Sequence, residues 1–168
     1  MENFPNTNHK SDRIRFDGRE EAIPLVIELA NQAKHRLCIL GRNIDPVLFD
    51  NSDFIDSASR LARRSPRSEI RIIAQSTKMN MQQGHRLIEL AQHLSSDIHI
   101  RNPEKQEQTI QQTLLLVDDF AYLICPRATQ YSGFANQYDR LEVRELSMQF
   151  NDLWQHSKAD RAVRRLTI

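Results

Sequence analysis

Short runs rich in Ile, Leu and Val alternate with longer stretches of helical spacing between residues 14 and 101. No other feature of the chain limits its fold as much. The runs 14–16, 36–40, 69–74 and 97–101 read as strands, because β-branched apolar residues bury well on a pleated surface. In 51–64, Phe54, Ala58, Leu61 and Ala62 share one helical face while Arg60 and Arg63 point away from it; in 83–95 the stripe is Leu87, Ala91 and Leu94. The stretch 19–34 has the same period, with Pro24 requiring either a kink or a start near Ile23. This β-α alternation predicts an α/β domain with a mixed, mostly parallel sheet and helices on both faces.

From Thr113 onward the pattern changes. The runs 113–117 and 121–125 flank Asp118-Asp119-Phe120 as a tight hairpin, and 138–143 reads as a further strand. Val143, Leu146, Phe150, Leu153 and Trp154 then form a helical stripe that the closing KADRAVRRLTI extends, with Trp154 as its core anchor. The organisation that follows is a flexible tail over 1–12, one domain over 13–157 and a basic C-terminal extension over 158–168.

The 168 residues suffice for one domain with a substantial core, and 39% hydrophobic against 27% charged residues is an ordinary globular balance. A net charge of +1 excludes a broad basic field, so any nucleic-acid binding has to use a local patch. The first twenty residues hold no apolar secretory core, and no apolar run approaches the roughly 18 residues of a membrane span, so a cytoplasmic protein without membrane contact is expected. Cys38 and Cys125, without a CxxC or a neighbouring His at ligand spacing, read as buried reduced thiols rather than a disulfide or metal pair.

Glycine-rich phosphate loops, the GxSxG elbow and the HExxH pair are all missing, and no cofactor is expected. His85, Glu89 and His93 recur at intervals of four, on the side opposite Leu87, Ala91 and Leu94. They read as a solvated face before they read as a metal site. His99, between Ile98 and Ile100, faces away from their side of the sheet, and His35 reads as structural. Two basic clusters stand out: Arg60, Arg63, Arg64 and Arg67, then Lys158, Arg161, Arg164 and Arg165. Both read first as solvated faces; meeting in space, they would grip phosphates, although neither is interleaved with the aromatics that stack single strands.

The segment QTIQQTLLLVDDFAYLICPRATQYSGFANQYDRLEVRELSMQFNDLWQHS carries the most information. Its order of strand, hairpin, strand, a loop with an Asn, a final strand and a helix ending in FxxLW resembles the phospholipase D superfamily. The ILGRNID after the second strand and the helix leading into EIRIIAQ are similar too, so the resemblance spans residues 14–157. It implies a single phospholipase D-like half. In that family a His-x-Lys-x4-Asp signature supplies a nucleophilic His and a phosphate-neutralising Lys, and a second His from a paired half protonates the leaving group. Aligned on Asp118, the signature here reads Gln111-x-Thr113-x4-Asp118, and the Gly-Ser that follows it is replaced around Cys125, Pro126 and Arg127. An amide is no useful nucleophile and Thr carries no charge, so a homodimer, the common state of single-half members, restores neither function. Asp-Asp is also good turn chemistry in its own right. The chain is similar as well to an uncharacterised bacterial domain found alone or beside GNAT acetyltransferase domains.

The reading that results is a non-catalytic binding or regulatory domain with a degenerate cleft at the carboxyl ends of the strands. Topology places Asn43, Asp45, Gln75, Ser76 and Arg127 there, with Arg127 to hold a phosphate or carboxylate and Gln111, Thr113 and Asn136 as neutral hydrogen-bond partners; Asn136 is also a polar remnant beside Asp118. A homodimer and a protein partner of unknown identity are the expected associations. The alternatives are nucleic-acid binding through the two Arg clusters and a phosphodiesterase rebuilt around His85 or His99.

Overall fold

The computed structural model describes residues 11–104 and 109–164. β1 (Ile14–Asp17) turns at Gly18, φ 90°, into α1 (Arg19–Asn31), which is followed by β2 (Arg36–Gly41), α2 (Pro46–Phe49), α3 (Ser52–Arg64) and β3 (Glu69–Ala74). α4 (Lys78–Gln83), α5 (Arg86–His93) and β4 (Ile98–Pro103) come next, then β5 (Thr113–Val117), β6 (Ala121–Cys125) and β7 (Ser132–Asn136). α6 (Arg140–Gln155), β8 (Ser157–Ala159) and α7 (Arg161–Arg164) close the described chain.

Among the described residues the strands form one eight-stranded mixed sheet in the order β1-β7-β6-β5-β2-β3-β4-β8. β2, β3 and β4 pair in parallel, as βαβ crossovers require, and the hairpin-built second half pairs antiparallel. Alternation along each strand divides the core. Leu37, Ile39, Ile70, Ile72, Leu115 and Val117 face α1, α3 and α5, while Cys38, Leu40, Ile73, Leu114 and Leu116 face α6. Each fully buried side chain of this size contributes about 1.5–3 kcal/mol. Trp154 is 7% exposed, stacks on Phe150 at 6.0 Å and carries the Arg101 guanidinium 4.2 Å above its ring.

The structure corrects several boundaries. Helix α1 begins at Arg19 and runs through Pro24, because burying Ala22, Val26, Leu29 and Ala30 outweighs the hydrogen bond proline forfeits. Residues 138–143 are not a strand: the Asp139 carboxylate caps α6 at the Glu142 N–H (3.3 Å), and the strand is β7, earlier in the chain. α6 does not continue into the C-terminal stretch. It ends at Gln155, and 157–159 cross to pair with β4. The boundary drawn at 157/158 therefore cuts through β8, and α7 packs on α5 through Val163, whose carbonyl accepts from Gln92 (3.2 Å).

Candidate functional site

β2, β3, β4 and β6 all run toward one end of the sheet, where ligands of open α/β sheets gather. Asn43, Asp45, Gln75, Ser76, Gln111, Thr113 and Arg127 all lie at this carboxyl end, but the fold employs several of them already. Asp45 is 8% exposed. Its Oδ1 accepts the N–H of Val47 (2.8 Å) and Leu48 (3.1 Å), capping α2 ahead of Pro46, and its Oδ2 accepts the Tyr131 hydroxyl (3.0 Å). Burial, and then the Asp45 charge, push the Tyr131 phenol up to about 12, so it remains the donor. Gln75 Oε1 accepts the Ile110 N–H (2.9 Å), drawing the segment before β5 over the end of β3, and Ser76 Oγ accepts from Lys78 N (3.3 Å). Asn43 is half-buried in the loop after β2.

Two grooves open at this end, one on each side of Pro126. The larger, about 640 Å³, is lined by Gln111, Gln112, Leu40 and Leu153. The other, about 390 Å³, is lined by Arg15, Asp17, Arg127, Gln130 and Phe134. The Gln111 carbonyl accepts the Ala128 N–H (2.7 Å), binding the two walls together. Thr113 is buried, 3% exposed, and sits opposite Cys125, whose thiol burial and then the Asp45 charge push up to about 11. It is therefore a protonated thiol at neutral pH rather than a nucleophile.

Asn136 does not join this end. β7 runs antiparallel to β6, so Asn136 pairs with Tyr122 beside the hairpin and holds Ser11 and the Tyr138 N–H (3.0 Å). Asp118 lies at the same far end: its carboxylate accepts the N–H groups of Lys34, His35 and Arg36. Both are structural residues, separated by the length of the sheet from the grooves.

The histidine stripe is likewise corrected. Gly84 (φ 69°) ends α4, and His85 is the N-cap of α5, 2% exposed, with Nδ1 accepting the Leu87 N–H at 3.1 Å. Only Glu89 and His93 remain on the wet face. Burial holds His85 below its ordinary value against the pull of Asp50 and of the Asp45 backbone and carboxylate. An unfolded chain therefore takes up this proton first as the pH falls below about 6.5. Stability is expected to be flat above that point and to drop from there down to the lower folded-state value. Urea unfolding at stepped pH checks this: the drop should shrink in His85→Asn, which keeps a capping oxygen, and an unchanged slope rejects the assignment.

Among the described residues, none of the grooves above brings the two arginine clusters together. Arg63, Arg64 and Arg67 are exposed around the end of α3, and Arg60 donates to Asn31 Oδ1 (2.8 Å). Arg161 and Arg164 are exposed on α7; Arg164 lines a groove of about 370 Å³ with His99, Arg101 and Gln92 that contains none of the α3 arginines. Arg165 lies outside the described residues, and Lys158 in β8 faces Glu104 at 3.8 Å. Among the described residues no three His, Cys, Asp or Glu side chains gather as a metal would require, and no helix is long and apolar enough to cross a membrane. Sequence reasoning missed Tyr131, with Arg19 stacked 4.9 Å over its ring, and Arg15 in the groove that holds Arg127.

Residues 18–166 match the family model described as a domain of unknown function, DUF7931. The chain belongs to that family. No curated protein matches this DUF7931 chain. It is similar in structure to TrmBL2, described as an archaeal chromatin protein with a novel mode of DNA binding (TM-score 0.63, 14% identity). That likeness covers 93% of this chain and 57% of the other, so the chain spans little more than half of TrmBL2. Nuc from Salmonella typhimurium, a phospholipase D family member, superposes with a TM-score of 0.60 at 13% identity, over 89% of this chain and 99% of Nuc. NucT from Helicobacter pylori gives 0.61 at 10% identity over the same shares. At these identities the likeness speaks for the fold, which is that of a single phospholipase D-like domain.

Proposed function

We propose that this DUF7931 chain is a non-catalytic binding domain, and that its ligand presents a phosphate or carboxylate to Arg127 at the carboxyl end of the sheet. The observation that carries this reading is what occupies β5 and its approach. An exposed amide, Gln111, and a buried hydroxyl, Thr113, stand where the resemblance puts nucleophile and cation. Neither attacks phosphorus or moves a proton near neutral pH. Beyond β6, Arg127 is exposed and shares its groove with Arg15, and neither arginine forms an ion pair among the described residues. Arginine forks hold the oxygens of such anions in pairs.

Titration of isotope-labelled protein with dimethyl phosphate, and separately with acetate, tests this. Shifts are expected at Arg15 and over 126–132, and Arg127→Ala is expected to weaken binding about tenfold, the worth of one charge-assisted hydrogen bond. Unchanged affinity in that variant rejects Arg127. Release of nitrophenol from bis(p-nitrophenyl) phosphate above the protein-free rate, lost in His99→Ala, rejects the non-catalytic reading.

A second reading, nucleic-acid binding, is favoured by Arg63, Arg64 and Arg67, exposed and without ion pairs among the described residues, and by the similarity to the DNA-binding TrmBL2. In the same titration an oligonucleotide would then shift residues 60–67 rather than the Arg127 groove, with an affinity that falls steeply with salt.

A further inference from the structure

The two grooves lined by Pro126 differ in chemistry, and together they describe one ligand. The smaller holds Arg15, Arg127 and Asp17, all exposed and none in an ion pair among the described residues. Two positive charges against one negative leave a single charge to be met, which suits a monoanion. The larger groove has no charged side chain among its described lining residues. Leu40, Ile110 and Leu153 make it apolar, and Gln111 and Gln112 add amides, one exposed and one half-buried. A side-chain amide both donates and accepts, so it pairs with the N–H or the carbonyl of a peptide group.

A polyanion matches this pair of grooves poorly. A nucleic-acid strand repeats its phosphate at every nucleotide, and no described cation in the larger groove meets the second one. A neutral chain with one anionic end, apolar side chains and a hydrogen-bonding backbone matches both. We infer that the ligand is the carboxyl-terminal end of a peptide, lying across Pro126. Its terminal carboxylate sits on Arg127 and Arg15, its last peptide groups bond to Gln111 and Gln112, and its apolar side chains cover Leu40, Ile110 and Leu153. This assignment rests on the anion site proposed above and names the molecule that carries the anion. Both grooves are framed in advance: the Gln111 carbonyl accepts the Ala128 N–H at 2.7 Å, and Gln75 Oε1 accepts the Ile110 N–H at 2.9 Å. A preformed site loses less affinity to ordering.

Titration of the isotope-labelled full chain with N-acetyl-Leu-Leu, with its carboxyl-terminal amide and with acetate tests this. The free acid is expected to bind about tenfold or more above acetate, shifting 109–112 and Leu153 together with Arg15 and 126–132. The amide should lose about tenfold, the worth of one charge-assisted hydrogen bond. Gln111→Ala should weaken the dipeptide several-fold without changing acetate, whereas Arg127→Ala weakens both. Gln111 is exposed, so that variant should unfold at the wild-type temperature. A dipeptide that binds no better than acetate overturns the peptide assignment and leaves the anion site standing. Dimethyl phosphate bound more tightly than the dipeptide also overturns it and makes the ligand a phosphate. N-acetyl-Leu-Asp-Leu amide bound as tightly as the free acid would move the carboxylate to a side chain and overturn the chain end. If acetate, dimethyl phosphate and the dipeptide all fail to bind, the anion site itself falls, and the peptide with it.

Discussion

Replacing Asp118 with alanine is expected to destabilise the fold by about 2–4 kcal/mol while leaving anion binding at the other end of the sheet intact. The Asp118 carboxylate accepts three consecutive backbone N–H groups, Lys34 at 2.9 Å and His35 and Arg36 at 2.8 Å each, and its own N–H donates to the Arg36 carbonyl at 2.9 Å. These bonds fasten the β5–β6 hairpin to the turn that opens β2, across an antiparallel pairing at the centre of the sheet. Hydrogen bonds to a charged acceptor are worth roughly 1.5–3 kcal/mol each, but the site is half-buried and water replaces part of them, so the loss falls below their sum. Asp118 also holds φ 51°, a left-handed conformation that costs alanine about 1 kcal/mol more than Asp or Asn. Asn should therefore lose less than Ala, since it tolerates the backbone and keeps one acceptor. Glycine separates the two causes, because it relieves φ and restores no bond. Chemical denaturation of the four proteins measures all of this; a loss below about 0.5 kcal/mol in Asp118→Ala would mean that water satisfies the three amides.

Asp118 also illustrates how much of this chain was legible in its sequence. The strands 69–74, 113–117 and 121–125 stand at the expected bounds, because each is a buried apolar run framed by turn residues. β7 was not readable: Ser-Gly-Phe-Ala-Asn has little strand propensity, and it pairs because Gly133 lets the β6 backbone approach to where a Cβ would lie 1.9 Å from the Ile124 oxygen. The alternation over 138–143 imitated a strand, yet Leu141 points to solvent from the first turn of a helix that Asp139 caps. His85 looked like part of a wet stripe because its spacing was read through Gly84, the residue that breaks the helix. β8 carries no sequence signal at all; three residues become a strand because the edge of β4 accepts them.

The candidate site was legible only in outline. Seven of the eight expected residues lie at the carboxyl end of the sheet, while Asn136 lies at the hairpin end with Asp118, because β7 runs antiparallel to β6. What no pattern conveys is whether a polar side chain is free. Asp45 and Gln75 sit at the carboxyl end but serve backbone groups there, whereas Gln111 and Arg127 are exposed. Such consumption depends on contacts between residues far apart in the chain, which spacing cannot encode.

Asn80 is the extreme case, a polar residue on a short exposed-looking helix that governs the same end of the sheet. It is 1% exposed, its Oδ1 accepts the Ile44 N–H (3.0 Å), its Nδ2 donates to the Ile44 carbonyl (2.8 Å), and its own carbonyl accepts the His85 N–H (3.1 Å). Asn80→Ala strands both backbone groups of a fully buried Ile44 and is expected to cost about 2–5 kcal/mol, since each unsatisfied buried group costs roughly 1–3. The loosening should reach the carboxyl end of the sheet, because Ile44 adjoins Asp45, and Asp45 holds Tyr131 next to Gln130 and Ser132 of the Arg127 groove. Weaker dimethyl phosphate binding than the stability loss alone explains is therefore expected, together with new protease cleavage in the loop over 42–45. Asn80→Asp sharpens the test through charge. Its carboxylate still accepts from the Ile44 N–H but presents a second acceptor to the Ile44 carbonyl, so at neutral pH it should be at least as damaging as alanine. Burial and that carbonyl raise the folded-state value of such a carboxyl above the unfolded one, so its stability recovers as the pH falls and the protonated group donates where the amide did. An Asn80→Asp protein whose stability relative to Asn80→Ala does not rise on acidification would mean that the Ile44 carbonyl is satisfied without residue 80, and that the loop is positioned by Asp45 alone.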